Sequence, residues 1–360
     1  MTVRMTSALA IVSSLMGCGS PVPMSPEATS ELVGFEVAGK MTERRFWHAS
    51  VLLQDGTVLI TGGAATQNPG QVSTSLFRAS TEVFDPETGT SSRRGNLSLA
   101  RVLDMGILLP DGRVLLAGAD QAPPEFFDPR TGRFTPEPYL PAFARIWSIT
   151  LLPNGKILTY YSLGVAIFDT ATREFTSLPG TVVIRAGHTA TLLRDGRVLI
   201  VGGVNASGIV KASEIYDPSS NTLTRTGGLR YERQDHRAIL LQDGSVLVIG
   251  GTTGDEGSEE PVTAAERYNP ATGTFTSEGD PGFEAIHAAT LLPSGEVFII
   301  GESGEVILYD PANGAFGPTG DSIGENRAFY TTTLLRDGRV LIAGGLKDLQ
   351  ATDQILIYRP

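Results

Sequence analysis

Apolar residues in this chain fall into short runs separated by turn-forming pairs, and one arrangement of runs and turns recurs seven times. Each copy opens with a Leu-Leu pair: Leu52-Leu53, Leu108-Leu109, Leu151-Leu152, Leu192-Leu193, Leu240-Leu241, Leu291-Leu292 and Leu334-Leu335. A turn pair follows: Asp55-Gly56, Asp111-Gly112, Asn154-Gly155, Asp195-Gly196, Asp243-Gly244, Ser294-Gly295 and Asp337-Gly338. Asp-Gly between apolar segments predicts a β-hairpin with a two-residue type I′ turn. A β-branched residue (Val58, Val114, Ile157, Val198, Val246, Val297 or Val340) then begins an apolar run of three. Continuous apolar character, rather than alternation, predicts hairpins covered on both faces.

Glycine pairs close four of the hairpins, at Gly62-Gly63, Gly202-Gly203, Gly250-Gly251 and Gly344-Gly345. They predict sharp turns or close backbone approach. With no downstream helix and Lys, and with recurrence, they are not a phosphate loop. Later in each unit comes an aromatic-Asp-Pro turn: Phe84-Asp85-Pro86, Phe127-Asp128-Pro129, Tyr216-Asp217-Pro218 and Tyr309-Asp310-Pro311, with variants at Phe168-Asp169-Thr170, Tyr268-Asn269-Pro270 and Tyr358-Arg359-Pro360. Asp bonds its own downstream backbone, Pro presets φ, and a later Gly takes the left-handed position. A short strand with an aromatic usually follows, as at Phe134, Phe175, Phe275 and Phe316. Each unit is thus four short strands.

The hairpin turns lie 56, 43, 41, 48, 51 and 43 residues apart. That period, with four strands per unit, predicts a β-propeller. The last unit lacks its fourth strand, whereas residues 33–37 carry a Gly-Phe pattern like that of the fourth strands. The expectation is an all-β, seven-bladed propeller of four-stranded antiparallel blades spanning 31–360, its ring closed by the N-terminal strand completing the last blade. Repetition explains how one domain reaches this length. The combined pattern resembles the kelch repeat, from about residue 31 to the end.

Residues 1–17 read as an export signal, with Arg4 ahead of an apolar stretch too short for a lasting membrane span. Leu15-Met16-Gly17-Cys18 resembles a bacterial lipobox, which would place a lipid on Cys18, the only cysteine of the chain. Residues 18–30 are Pro- and Ser-rich and read as a tether. The protein is therefore expected in the bacterial cell envelope, outside the cytoplasm and held by lipid. A lone cysteine excludes an internal disulfide. The net charge of −11 argues against nucleic acid as a partner.

Antiparallel order puts the Asp-Gly and Asp-Pro turns on one face and the variable loops on the other, which is the expected binding face. Seven residues before each turn lie His48, His188, His236 and His287, with Asp104, Trp147 and Tyr330 in the other units. Ten residues before it lie Arg45, Arg101, Arg185, Arg233 and Arg327, with Ala144 and Glu284 as exceptions. Both rows fall at the start of the innermost strands. One reading is a ring of imidazoles and guanidiniums binding a ligand at the channel mouth; the other is that they are built into the repeat and bonded to backbone carbonyls. The four carboxylates in 255–260 lack calcium-loop spacing and read as a solvated loop.

The enzymatic relative that the kelch resemblance brings is galactose oxidase, whose copper is held by two Tyr and two His, one Tyr being cross-linked to Cys. The propeller here has no Cys and no adjacent Tyr-His pair. Sialidase-type boxes and a Gly-x-Ser-x-Gly elbow are also absent. The expectation is a monomeric module binding a protein or glycan, without catalytic residues, metal or cofactor. The alternatives are an enzyme using the channel mouth and a structural component of the envelope.

Overall fold

The computed structural model describes residues 34–65, 76–102, 105–118, 123–137, 145–178, 183–254, 257–282, 285–324, 327–348 and 350–360. The export signal, Cys18, the whole tether region, Asp104 and residues 255–256 of the acidic loop lie outside them. The described residues form seven four-stranded antiparallel sheets. Six follow chain order; the first runs Ala49–Leu52, Val58–Thr61, Arg78–Asp85, Thr90–Arg101. The seventh takes Thr331–Leu334, Val340–Ala343 and Gln354–Tyr358, and its fourth strand is Phe35–Lys40 from the other end of the chain. Phe35 pairs with Tyr358 and Val37 with Leu356.

The first hairpin loop shows how the repeated turn works. Leu53 N–H donates to Thr57 O at 2.8 Å and Gly56 N–H to Leu53 O at 3.1 Å, so the loop holds three residues and not two. Only Gly56 takes positive φ, at 90°. The expected type I′ turn, which needs positive φ at both central residues, is therefore replaced by a turn ending in a left-handed glycine. Asp55 Oδ1 accepts from Thr57 N–H at 3.0 Å, which accounts for the acid at this position. In the aromatic-Asp-Pro turns, Asn221 (φ 56°) and Arg173 (φ 63°) occupy the left-handed place that Gly89 fills elsewhere.

The second strands are buried along their whole length, apart from Lys156 at the start of the third sheet's, and the second Leu of every Leu-Leu pair is buried too. Both sides are covered because adjacent sheets stack face to face. Ala49, Val51 and Leu59 pack with Val114, Leu116 and Phe127 of the next sheet. Ile239 and Leu247 pack with Val297 and Ile299. Val58 and Ile60 pack with Leu341 and Ile355 of the last sheet. The core is thus a series of inter-sheet layers, and each buried Leu, Ile or Val contributes about 1.5–3 kcal/mol. The first strands of successive sheets are neighbours, as are those of the last and first.

The glycine pairs serve these joints. Gly203 N–H donates to Arg233 O (2.9 Å) and Gly345 N–H to Arg45 O (2.9 Å), on the approach to the next sheet, and Gly63 N–H to Arg101 O (2.8 Å), the last residue of its own sheet's fourth strand. A Cβ on Gly203 would sit 2.5 Å from Ala186 O, so no side chain fits. On the variable face, loops build small sheets of their own, Val204–Asn205 with Gly208–Ile209 and Thr252–Thr253 with Glu260–Pro261.

Candidate functional site at the channel mouth

The arginine row does not face the mouth. Arg45, Arg101, Arg185, Arg233 and Arg327 are fully buried within the sheets. Arg45 pairs with Glu82 at 2.8 Å and donates to Gly62 O at 2.8 Å. Arg233 pairs with Glu266 at 3.0 Å and donates to Gly250 O at 2.9 Å. Arg101 pairs with Glu125 and Arg185 with Glu214 in the same manner. Each glutamate sits on a third strand opposite the third apolar residue of the second strand, as Glu82 does opposite Ile60. A buried guanidinium needs such a carboxylate and carbonyl shell to offset its desolvation. Where the arginine is replaced, at Ala144 and Glu284, the matching third-strand residue is Ala166 or Ile307. In the last sheet Leu356 takes that place, and Arg327 donates to Gln354 instead. These partners were legible as Glu-x-Tyr/Phe-Asp/Asn, at Glu82, Glu125, Glu214 and Glu266, but were not matched to the arginines.

The histidine row follows a second rule. Each imidazole reaches the preceding sheet and bonds the hydroxyl one place after the corresponding position there. His188 Nε2 meets Ser148 Oγ at 2.8 Å, His236 Nε2 meets Thr189 Oγ1 at 2.8 Å, and His48 Nε2 meets Thr331 Oγ1 at 3.0 Å. His188 Nδ1 also faces Arg185 O at 2.8 Å, and Tyr160 packs on its ring at 4.6 Å. Burial, with Arg45 nearby, holds the His48 pKa down to about 3. Burial holds His188 down to about 4, with Arg185 O opposing the shift and the Arg185 charge adding to it. Burial, with Arg233 and His188, holds His236 well below the ordinary value. These three rings are neutral fasteners between sheets.

The rule breaks at two adjoining joints. His287 faces a sheet whose equivalent residue is Arg237, not Ser or Thr, and Arg237 donates to His287 O at 2.9 Å. Tyr330 faces a sheet carrying Ala288, and its hydroxyl is buried without a hydrogen-bond partner among the described residues. The Tyr330 and His287 rings meet edge-on at 6.0 Å. Between these residues lies a cavity of about 340 Å³ lined by His48, Ser50, Arg237, His287, Tyr330 and Thr332 among others. It is open to solvent and bordered by the first strands of five sheets. Burial first, then Arg237, holds His287 down to about 4, while Glu305 pulls the other way. Burial pushes the Tyr330 hydroxyl up.

Of the residues singled out from sequence, His48, His287 and Tyr330 come together at this cavity; His188, His236 and Trp147 do not line it. Arg237 belongs to neither row. Its position beside His236 gave no signal, because its meaning depends on which ring the next sheet points at it.

A larger set of carboxylates does not gather here: among the described residues no cluster of three or more His, Cys, Asp or Glu could hold a metal ion.

No protein-family model matches the chain. Two galactose oxidases of Gibberella zeae are 40% identical to it over 75 residues, which is 21% of this chain and only 11% of theirs. A fungal alcohol oxidase of the AA5 family, solved in complex with copper, superposes with a TM-score of 0.54 at 17% identity, over 89% of this chain and 64% of its own. The likeness supports a propeller-like fold related to that of these oxidases. It also corrects the expectation that the chain is not an enzyme, because the relatives found are oxidases.

Copper of the galactose-oxidase kind does not fit the described residues. Tyr330 is the only tyrosine in the cavity and Arg237 sets a positive charge among the rings. The Nε2 atom of His48 is engaged by Thr331, and the one cysteine, Cys18, lies ahead of the propeller.

Proposed function

We propose that this chain is an enzyme acting at the mouth of its central channel on a small hydroxylated molecule, an alcohol or a sugar. The observation that carries this reading is local. The histidine–hydroxyl rule gives way at the two joints bordering the cavity, which leaves His287, Tyr330 and Arg237 facing a solvent-filled space. Residues that break a scaffold's own rule are where function is expected. The oxidase relatives support enzymatic use of this fold and supply the substrate class.

His287 is neutral above about pH 4, so its ring can accept a hydrogen bond from a substrate hydroxyl and orient it. Arg237 can stabilise negative charge that develops on oxygen. Around this site we read a kelch-type propeller of seven blades closed by Phe35–Lys40, held to the bacterial envelope through lipid on Cys18.

The test is turnover of a panel of primary alcohols and hexoses, followed by product analysis and by oxygen uptake with and without added copper. His287→Gln is expected to lower turnover at least about a hundredfold with the melting temperature retained. Equal turnover in wild type and variant would overturn the reading.

A further inference from the structure

We infer that the cavity recognises a singly charged acidic sugar, with Arg237 binding its carboxylate. This rests on the reading of the mouth as the site and adds the class of substrate.

The position after the histidine row is occupied by Ala49, Met105, Ser148, Thr189, Ala288 and Thr331 in the other six sheets. None is charged. Arg237 is therefore a departure from the repeat, and it differs from the five buried arginines in how its donors are used. Those are spent on glutamates, a glutamine and backbone carbonyls inside the sheets. Arg237 is exposed to the cavity. One of its Nη atoms is fixed by His287 O at 2.9 Å, and it forms no ion pair with a carboxylate among the described residues. The carbonyl aims the guanidinium, and the Asp235 carboxylate two residues away acts on its charge without pairing with it.

Charge decides the kind of ligand. Among the described residues Arg237 is the only charged side chain lining the cavity, since both imidazoles are neutral near pH 7. The protein around it is acidic, with a net charge of −11. A single guanidinium matches a monoanion better than a phosphate dianion, and its planar donors suit a carboxylate. The rest of the lining supplies hydroxyls from Ser50, Thr331 and Thr332 beside the rings. Such walls suit a body rich in hydroxyl groups. A hexuronate combines both features.

The experiment is calorimetric titration of the whole chain with glucuronate and with glucose at pH 7, for wild type, Arg237→Gln, Arg237→Lys and His287→Gln. The expected result is at least about tenfold tighter binding of glucuronate than of glucose. Arg237→Gln should remove that preference, and Arg237→Lys should keep part of it. Melting curves check that each variant is folded. Equal binding of both sugars, insensitive to Arg237→Gln, overturns the proposal; continued sensitivity to His287→Gln then leaves the mouth reading intact. Glucuronate binding that ignores both residues overturns the mouth reading as well. Binding of neither sugar by wild type overturns the proposal alone, and turnover of neutral alcohols then decides the mouth reading.

Discussion

Two neighbouring joints in this molecule are built from the same plan and end differently. Where the fourth and fifth sheets meet, His236 bonds Thr189 Oγ1 at 2.8 Å and is almost wholly buried. Where the fifth and sixth meet, His287 finds Arg237 and remains partly exposed. Both rings occupy the same position in the repeat. One closes a seam, and the other is left facing a cavity with a cation beside it. In a repeat protein, then, the identity of a residue says less than the identity of its partner one blade away.

Acid should give the largest effect and should load both kinds of joint, because His287 is held as low as His188. The folded imidazoles of His48, His188 and His287 stay neutral to about pH 4 or lower, while unfolded histidines titrate near 6.5. The unfolded state therefore binds more protons below pH 6.5, and stability falls as pH falls from there to the folded values. Each imidazole contributes about 1.4 kcal/mol per pH unit across that window. For His48, His188 and His287 together, denaturant titrations at pH 7 and pH 5 should differ by on the order of 6 kcal/mol.

Next in size is the buried pair that braces the closed joint. Arg233→Met leaves Glu266 charged and enclosed, and should cost about 3–5 kcal/mol in denaturant unfolding. A loss below about 1 kcal/mol would mean that the pair behaves as an exposed one.

The smallest effects compare the joints directly. Thr189→Val removes the only hydrogen-bond partner that the His236 ring has among the described residues and should cost about 1–3 kcal/mol. Arg237→Thr restores the hydroxyl of the regular joints. It should change stability by less than about 1 kcal/mol and raise the His287 pKa from about 4, which proton NMR titration would report. An unchanged pKa would show that Arg237 does not act on that ring.

Much of the architecture could be read from the chain, because each blade repeats its own turn chemistry. Leu-Leu, Asp-Gly and the fully apolar second strand locate the hairpins, and the glycine pairs locate the joints. The hairpin type was misjudged, since Asp-Gly serves equally as the end of a three-residue loop when Asp55 caps Thr57. The site was less legible. The arginines lie in a row along the sequence, yet their guanidiniums turn into the blades toward Glu82, Glu125, Glu214 and Glu266. Arg237 is recognisable only once the sheets are stacked, because its neighbour His287 is 50 positions away in the chain.

The pairing of Phe35–Lys40 with Gln354–Tyr358 also governs when the molecule is finished. Glu36 and Arg359 meet across 323 positions of chain. A ribosome releases the first of these strands long before its partner exists, so Phe35 and Val37 wait unpaired while the other six sheets are synthesised. Contacts of such separation form late and slowly. Completion of the last sheet therefore waits for Gln354–Tyr358 to be made, and until then Phe35–Lys40 is an open strand edge.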